Sequence, residues 1–201
     1  MFNYYNNTLE SKARYVISSY EPDLLREPTS IPVEDIMEEV YGLSIEYQYI
    51  RNNGRILGET VFENALVPIY ERENNEGYKL IPVKAGTVII DAGLLNRRND
   101  GRLRYTCAHE LAHWILHKEL YTRLGETAAM TKAVKSSESD RIIERQADVL
   151  SSYLLMPKGT VKMAFHRSAN SPTGKITELA RLFRVSKQAM EIRLKDMGLL
   201  N

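Results

Sequence analysis

The sequence predicts an α+β fold: a small sheet of antiparallel or mixed strands in the first half, helices around it, and a helix-turn-helix-like pair of helices at the end. Three observations carry this. Strand-type alternation is confined to residues 43–91, punctuated by Asn52-Asn53-Gly54, Asn74-Asn75-Glu76-Gly77 and Ala85-Gly86. Residues 102–120 hold no glycine or proline and place Tyr105, Ala108, Leu111, Ala112, Ile115 and Leu116 at helical spacing. Residues 175–197 carry two short helical patterns around Arg184-Val185-Ser186, with helix-turn-helix spacing. The expected division is a main domain over 1–167 and a C-terminal segment, 168–201, packed on it.

In chain order, residues 8–20 read as a helix with Leu9, Ala13, Val16, Ile17 and Tyr20 on one side. Pro22 and Pro28 bracket a connection. A second helix starts at Ile31-Pro32, buries Val33, Ile36, Met37 and Val40, and stops at Gly42. Its carboxylates Glu34, Asp35, Glu38 and Glu39 read as a solvated face. Strands are expected over 44–50, 56–62, 65–70, 78–83 and 87–90, then a basic loop with Arg97, Arg98, Arg102 and Arg104 that reads as solvated.

The long helix carries His109-Glu110-Leu111-Ala112-His113, the pattern H-E-x-x-H. Residues four apart share a helix face, so His109 and His113 can point imidazole nitrogens at one metal ion. Glu110 is turned about 100° from His109. It is badly placed as a third ligand and well placed as a general base acting on a water at the metal. The plainer reading is a surface helix whose histidines are solvated or hydrogen-bonded in the core. His117 continues the series but lies roughly 12 Å along the axis from His109. It reads as a hydrogen-bonded or surface histidine near the cleft. Residues 118–138 form a polar connection, long enough to act as a flap.

A third ligand is expected on the next helix, 139–155, which Ser139 or Asp140 can cap. Ile143, Ala147, Leu150 and Leu154 make its apolar stripe, and Glu144 and Asp148 share a face. Glu144 could complete a site of two histidines and a glutamate with one open position, the catalytic arrangement for zinc. Asp148 could accept a hydrogen bond from the non-ligating nitrogen of one histidine. Glu126, Glu138 and Asp140 are also within reach by position alone. In the C-terminal pair, Ser186, Lys187, Gln188 and Arg193 would face DNA; alternatively the pair is a packing unit, buried through Ile176, Leu179, Phe183, Ala189 and Leu194.

Bulk properties narrow the function classes. Net charge is +1 over 201 residues and 43% of residues are hydrophobic, which allows a real core and offers no global field for a polyanion. From Lys158 to Asn201 the net charge is +6, against −5 for the rest. One cysteine excludes an internal disulfide. No run approaches about 18 apolar residues and the N-terminus lacks a signal-peptide pattern, so a cytoplasmic protein without a membrane span is expected.

The stretch Tyr105 to His113 through His117 resembles the signature of the ImmA/IrrE family of metallopeptidases. So do Glu144-Arg145-Gln146-Ala147-Asp148 and Leu154-Leu155-Met156-Pro157, and the segment ending Leu179-Ala180-x-x-Phe183-x-Val185-Ser186. The resemblance spans Val33 to Leu200. Cys107 departs from it, standing where an aliphatic residue is expected, and reads as a small core residue. The resemblance implies a zincin-like metallopeptidase core over 1–167 with a gluzincin ligand plan. One Zn²⁺ per chain would be held by His109, His113 and Glu144. Glu110 would be the catalytic base and Asp148 would orient a ligand. The oxyanion partner is open between Tyr121 and His117. Members typically cleave a helix-turn-helix repressor, so such a repressor is the expected partner, with DNA binding weak or absent. The competing class is a non-catalytic DNA-binding regulator with a structural metal.

Overall fold

The computed structural model describes residues 6–50, 56–71, 77–95, 100–124 and 138–200, the side chains of 123 and 124 excepted. Helix α1 spans Asn6–Tyr20 and buries Leu9, Ala13, Val16 and Ile17, the stripe expected from its spacing. A 3₁₀ turn, Pro22–Leu25, follows. The next helix begins as α2, Val33–Asp35, directly after Pro32, and widens into a π-type turn over Ile36–Val40. Gly42, at φ +62°, ends it in the left-handed conformation that glycine adopts without steric cost.

Five strands follow: β1 Ser44–Gln48, β2 Gly58–Val61, β3 Ala65–Glu71, β4 Gly77–Val83 and β5 Thr87–Asp91. They form two sheets where one was expected. The first has the order β1-β5-β2, with β1 parallel and β2 antiparallel to β5. The second is the hairpin β3–β4, in register from Ala65↔Val83 to Glu71↔Gly77. Proline interrupts both hairpin strands, at Pro68 and Pro82, and proline has no N–H to offer a further strand. Strand β5 is buried along its whole length. Val88 and Ile90 face the main core while Ile89 faces a smaller cluster with Ile50, Val61, Val67 and Val83. Burial on both faces explains the unbroken apolar run Val88-Ile89-Ile90.

Helix α3 spans Asp100–Leu124, and α4 spans Glu138–Leu155. The helix therefore runs on past residue 118; the proposed flap falls mostly on 125–137, outside the described residues, as do Arg97 and Arg98. Helices α5 Lys158–Arg167, α6 Pro172–Leu182 and α7 Lys187–Asp196 complete the chain. Ser171 and Ser186 cap α6 and α7, accepting hydrogen bonds from the backbone N–H of Gly174 and Ala189. One main core runs through α1, α2, β5, α3, α4, α5, α6 and α7; Leu179, Phe183, Met190 and Leu194 are as buried as Leu111 and Leu150.

Three side chains depart from the expected surface. Arg104 is buried at 2% exposure, donates to the Ile31 carbonyl at 2.6 Å and faces Glu34 at 3.6 Å. It is no part of a solvated basic loop, and Glu34 is not simply solvated. Arg193 is 3% exposed and turned inward, away from any DNA face. The reason is local: it donates to the Met156 carbonyl at 3.0 Å and to Glu10 at 2.8 Å, and lies 4.0 Å over the Tyr153 ring.

Candidate metal centre

Helices α3 and α4 lie against one another and carry the polar groups that the apolar core cannot satisfy. Four-residue spacing puts His109 and His113 on one face of α3, and Glu144 and Asp148 on one face of α4. The two faces meet. His109 Nε2 lies 3.0 Å from His113 Nε2 and 3.3 Å from Glu144 Oε2, and His113 Nε2 lies 3.7 Å from Glu144 Oε1. One donor atom from each of His109, His113 and Glu144 falls within 4.8 Å of the other two.

The far sides of both imidazoles are held. His109 Nδ1 is 3.1 Å from Asp148 Oδ1, and the Tyr105 hydroxyl donates to the same oxygen at 2.9 Å. Burial pushes the Asp148 carboxyl up, but the His109 imidazole and the Tyr105 hydroxyl beside it outweigh this and hold it below its ordinary value. A neutral His109 that carries its proton on Nδ1, beside the Asp148 carboxylate, keeps its lone pair on Nε2. His113 Nδ1 faces His117 Nδ1 at 3.1 Å, and His117 Nε2 faces Gln146 Oε1 at 3.1 Å. If this chain donates toward the Gln146 oxygen, the lone pair of His113 also lies on Nε2. Two lone pairs and a carboxylate then converge on one point, an arrangement that calls for a cation. The residues fit a divalent metal of zinc type: two imidazoles, one carboxylate and supporting acceptors behind the rings.

Glu110 is the next residue along α3. It is 2% exposed and lies under β2, where the Thr60 hydroxyl is 2.8 Å from Oε2 and 3.1 Å from the Glu110 carbonyl. The β2 backbone presses on it at Gly58. A methyl group added there would lie 2.7 Å from Glu110 Cγ, 2.7 Å from Thr106 Cγ2 and 2.8 Å from Glu110 Oε1. Only glycine admits so close an approach.

The structure thus brings together His109, His113, Glu144 and Asp148, with Glu110 one residue along the same helix. Glu138 and Asp140 sit in the first turn of α4, outside this group; Glu126 lies outside the described residues. Tyr121, considered for the oxyanion, is buried and stacked on Phe62 at 4.7 Å, in line with Trp114. Sequence reasoning missed Gly58, Thr60, Tyr105 and Gln146 as members of the site. The glycine inside a strand pattern was the available signal for Gly58, and the spacing of four to His109 was the signal for Tyr105; Thr60 and Gln146 had none, because each reaches the site through tertiary packing.

Comparison with known proteins bears on family and fold. No curated protein matches the chain significantly. The chain is similar to a solved structure described as a Mycobacterium tuberculosis transcriptional regulator, with 15% identity and a TM-score of 0.53. The match covers 94% of this chain and 57% of that one, and at this identity it bears on the fold alone. The profile of the IrrE N-terminal-like domain, a peptidase family, matches residues 94–195, the stretch that contains every group of the candidate centre except β2. On that match, carried over half the chain, the protein belongs to the ImmA/IrrE family of peptidases.

Proposed function

We propose that the chain is a zinc-dependent metalloendopeptidase that makes one site-specific cut in a helix-turn-helix transcriptional repressor. The observation that carries the reading is the convergence of His109 Nε2, His113 Nε2 and a Glu144 oxygen within 4.8 Å, beside the buried Glu110. Three protein ligands with one position open is the catalytic rather than the structural zinc plan. When bound, zinc would polarise the scissile carbonyl and lower the pKa of water to about 7. The chain's own groups do the rest. His109, His113 and Glu144 hold the ion, and Asp148 orients His109. Glu110, fixed by Thr60, takes the proton of the attacking water and returns it to the leaving amine.

The substrate part of the proposal rests on family resemblance and on selectivity. A protease of this kind must avoid general digestion, and the C-terminal unit, net +6 from Lys158 onward, offers a dock. The regulator reading draws on the name carried by the similar structure. Against it, two of the four side chains it would use are already engaged: Ser186 caps α7 and Arg193 is internal. DNA affinity is expected to be weak and to vanish as salt rises.

The test is incubation of the zinc-loaded protein with the helix-turn-helix repressor encoded nearest its gene, with casein alongside. One cut in the repressor and little loss of casein is expected. Glu110→Gln should keep zinc and lower cleavage by about 10²–10⁴-fold, while Glu144→Gln should lose zinc. Full zinc content with normal cleavage in the Glu144 variant would move the third ligand elsewhere. Digestion of casein at many sites would leave only a general peptidase.

A further inference from the structure

We infer that His117 and Gln146 form a positioning relay that fixes the tautomer of His113 and thereby sets the metal affinity of the site. The inference rests on the metallopeptidase reading above. Its basis is one buried line of side chains: His113 Nδ1 to His117 Nδ1 at 3.1 Å, then His117 Nε2 to Gln146 Oε1 at 3.1 Å. The three residues are 3%, 3% and 5% exposed, so bulk water does not compete for these bonds.

A neutral imidazole has one donor and one acceptor nitrogen, so the ends of the line set its direction. Gln146 Oε1 can only accept, hence His117 carries its proton on Nε2 and accepts at Nδ1. His113 must then donate from Nδ1, and its Nε2 keeps the lone pair that faces His109 and Glu144. Turning the Gln146 amide over would shift every proton one place. His113 would then carry hydrogen on Nε2, pointing into the cluster, and could not bind a metal. One amide orientation therefore decides whether His113 serves as a ligand.

The two histidines are backed by unlike devices. His109 has an ionised carboxylate with Tyr105 behind it. His113 has a neutral chain. A carboxylate at that depth would place a charge where the neighbouring side chains are almost fully buried, at a desolvation cost. The neutral relay orients the ring without that cost. His117 itself lies a full turn beyond His113 on α3 and acts only through it.

The test uses the full chain and zinc alone as the probe. In ¹⁵N-histidine-labelled protein, His117 should be the Nε2–H tautomer and His113 the Nδ1–H tautomer; either one reversed overturns the relay. By chelator competition, Gln146→Met, which keeps the shape and removes the acceptor, should weaken zinc binding about 10–100-fold. Gln146→Glu, which keeps an acceptor, should restore most of the loss. Equal zinc affinity in Gln146→Met and wild type, both folded by urea titration, would overturn the relay while leaving the zinc site intact. A wild-type chain that takes up no zinc would instead sink the metallopeptidase reading. Should Gln146→Met fail to fold, the His117 tautomer in the wild-type protein decides the matter.

Discussion

Two helix pairs in this molecule bury polar groups, and they do so to different ends. In α6 and α7 the polar group is Arg193, and its guanidinium is engaged by structure: a carbonyl, a carboxylate and an aromatic face. In α3 and α4 the polar groups are the buried His113 and the partly buried His109 and Glu144. The far nitrogens of the two histidines face Asp148 and His117, the latter backed by Gln146, while their Nε2 atoms and Glu144 converge. Burial alone does not separate a structural polar group from a functional one. What separates them is capacity left over and aimed at a shared point.

The comparison breaks first at the level of folding. If the C-terminal pair is part of one core, deleting its largest anchor must destabilise the whole chain. Phe183 is fully buried in the cluster that also holds Leu111 and Leu150. Phe183→Ala should cost about 3–5 kcal/mol, seen as a single urea transition moved to lower midpoint. A main transition left in place, with only a minor one lost, would make residues 168–201 a separate unit.

The next test concerns Arg193. Arg193→Met should cost about 2–3 kcal/mol, because the Met156 carbonyl and Glu10 lose a charged donor. Adding Glu10→Gln should recover part of that loss. DNA retention measured at low salt should be unchanged by Arg193→Met. A clear fall in retention with stability intact would return the side chain to a nucleic-acid role.

How far the sequence went follows the same line. His109, His113, Glu144 and Asp148 were legible because each pair sits on one helix at a spacing of four, so local geometry alone aligns them. Helix α1 and the Gly42 stop were legible for the same reason. Thr60 and Gln146 were not, since nothing local says that β2 crosses α3 at Glu110 or that α4 presents Gln146 to His117. The two-sheet arrangement was missed because strand pattern reports alternation, not partners. Arg104 and Arg193 were misread because a charged residue was assigned to solvent by type, while each found a carbonyl and a carboxylate inside.

A smaller effect probes the wall of the site at β2. Gly58→Ala places a methyl group 2.7 Å from Glu110 Cγ. Overpacking of this kind should cost about 1–3 kcal/mol. It should also reduce repressor cleavage while zinc content stays full, because the side chain displaced is Glu110 and not a ligand. Equal loss of zinc and cleavage would mean that β2 supports the ligands rather than the base.

The smallest effect is expected at Cys107, and it sharpens the distinction between buried groups with and without leftover capacity. Cys107 lies on α3, two residues before His109, with its side chain fully buried in the main core. Burial pushes its thiol well above the ordinary value, and the nearby carboxylates of Glu34 and Glu110 push it further; Arg104 offsets only part. The thiolate is the reactive and metal-binding form, so a thiol held neutral in apolar surroundings is inert. The folded state keeps its proton where the unfolded chain loses it. The stability linked to this group is therefore full below the unfolded thiol value and declines as pH rises above it. Native protein at neutral pH should leave a disulfide colour reagent unreacted, and urea should release one equivalent per chain. Cys107→Ala should keep zinc content and cleavage and cost about 1 kcal/mol, as a small cavity does. Prompt reaction of the native thiol, or loss of zinc in Cys107→Ala, would place this sulfur in the metal chemistry rather than in the core.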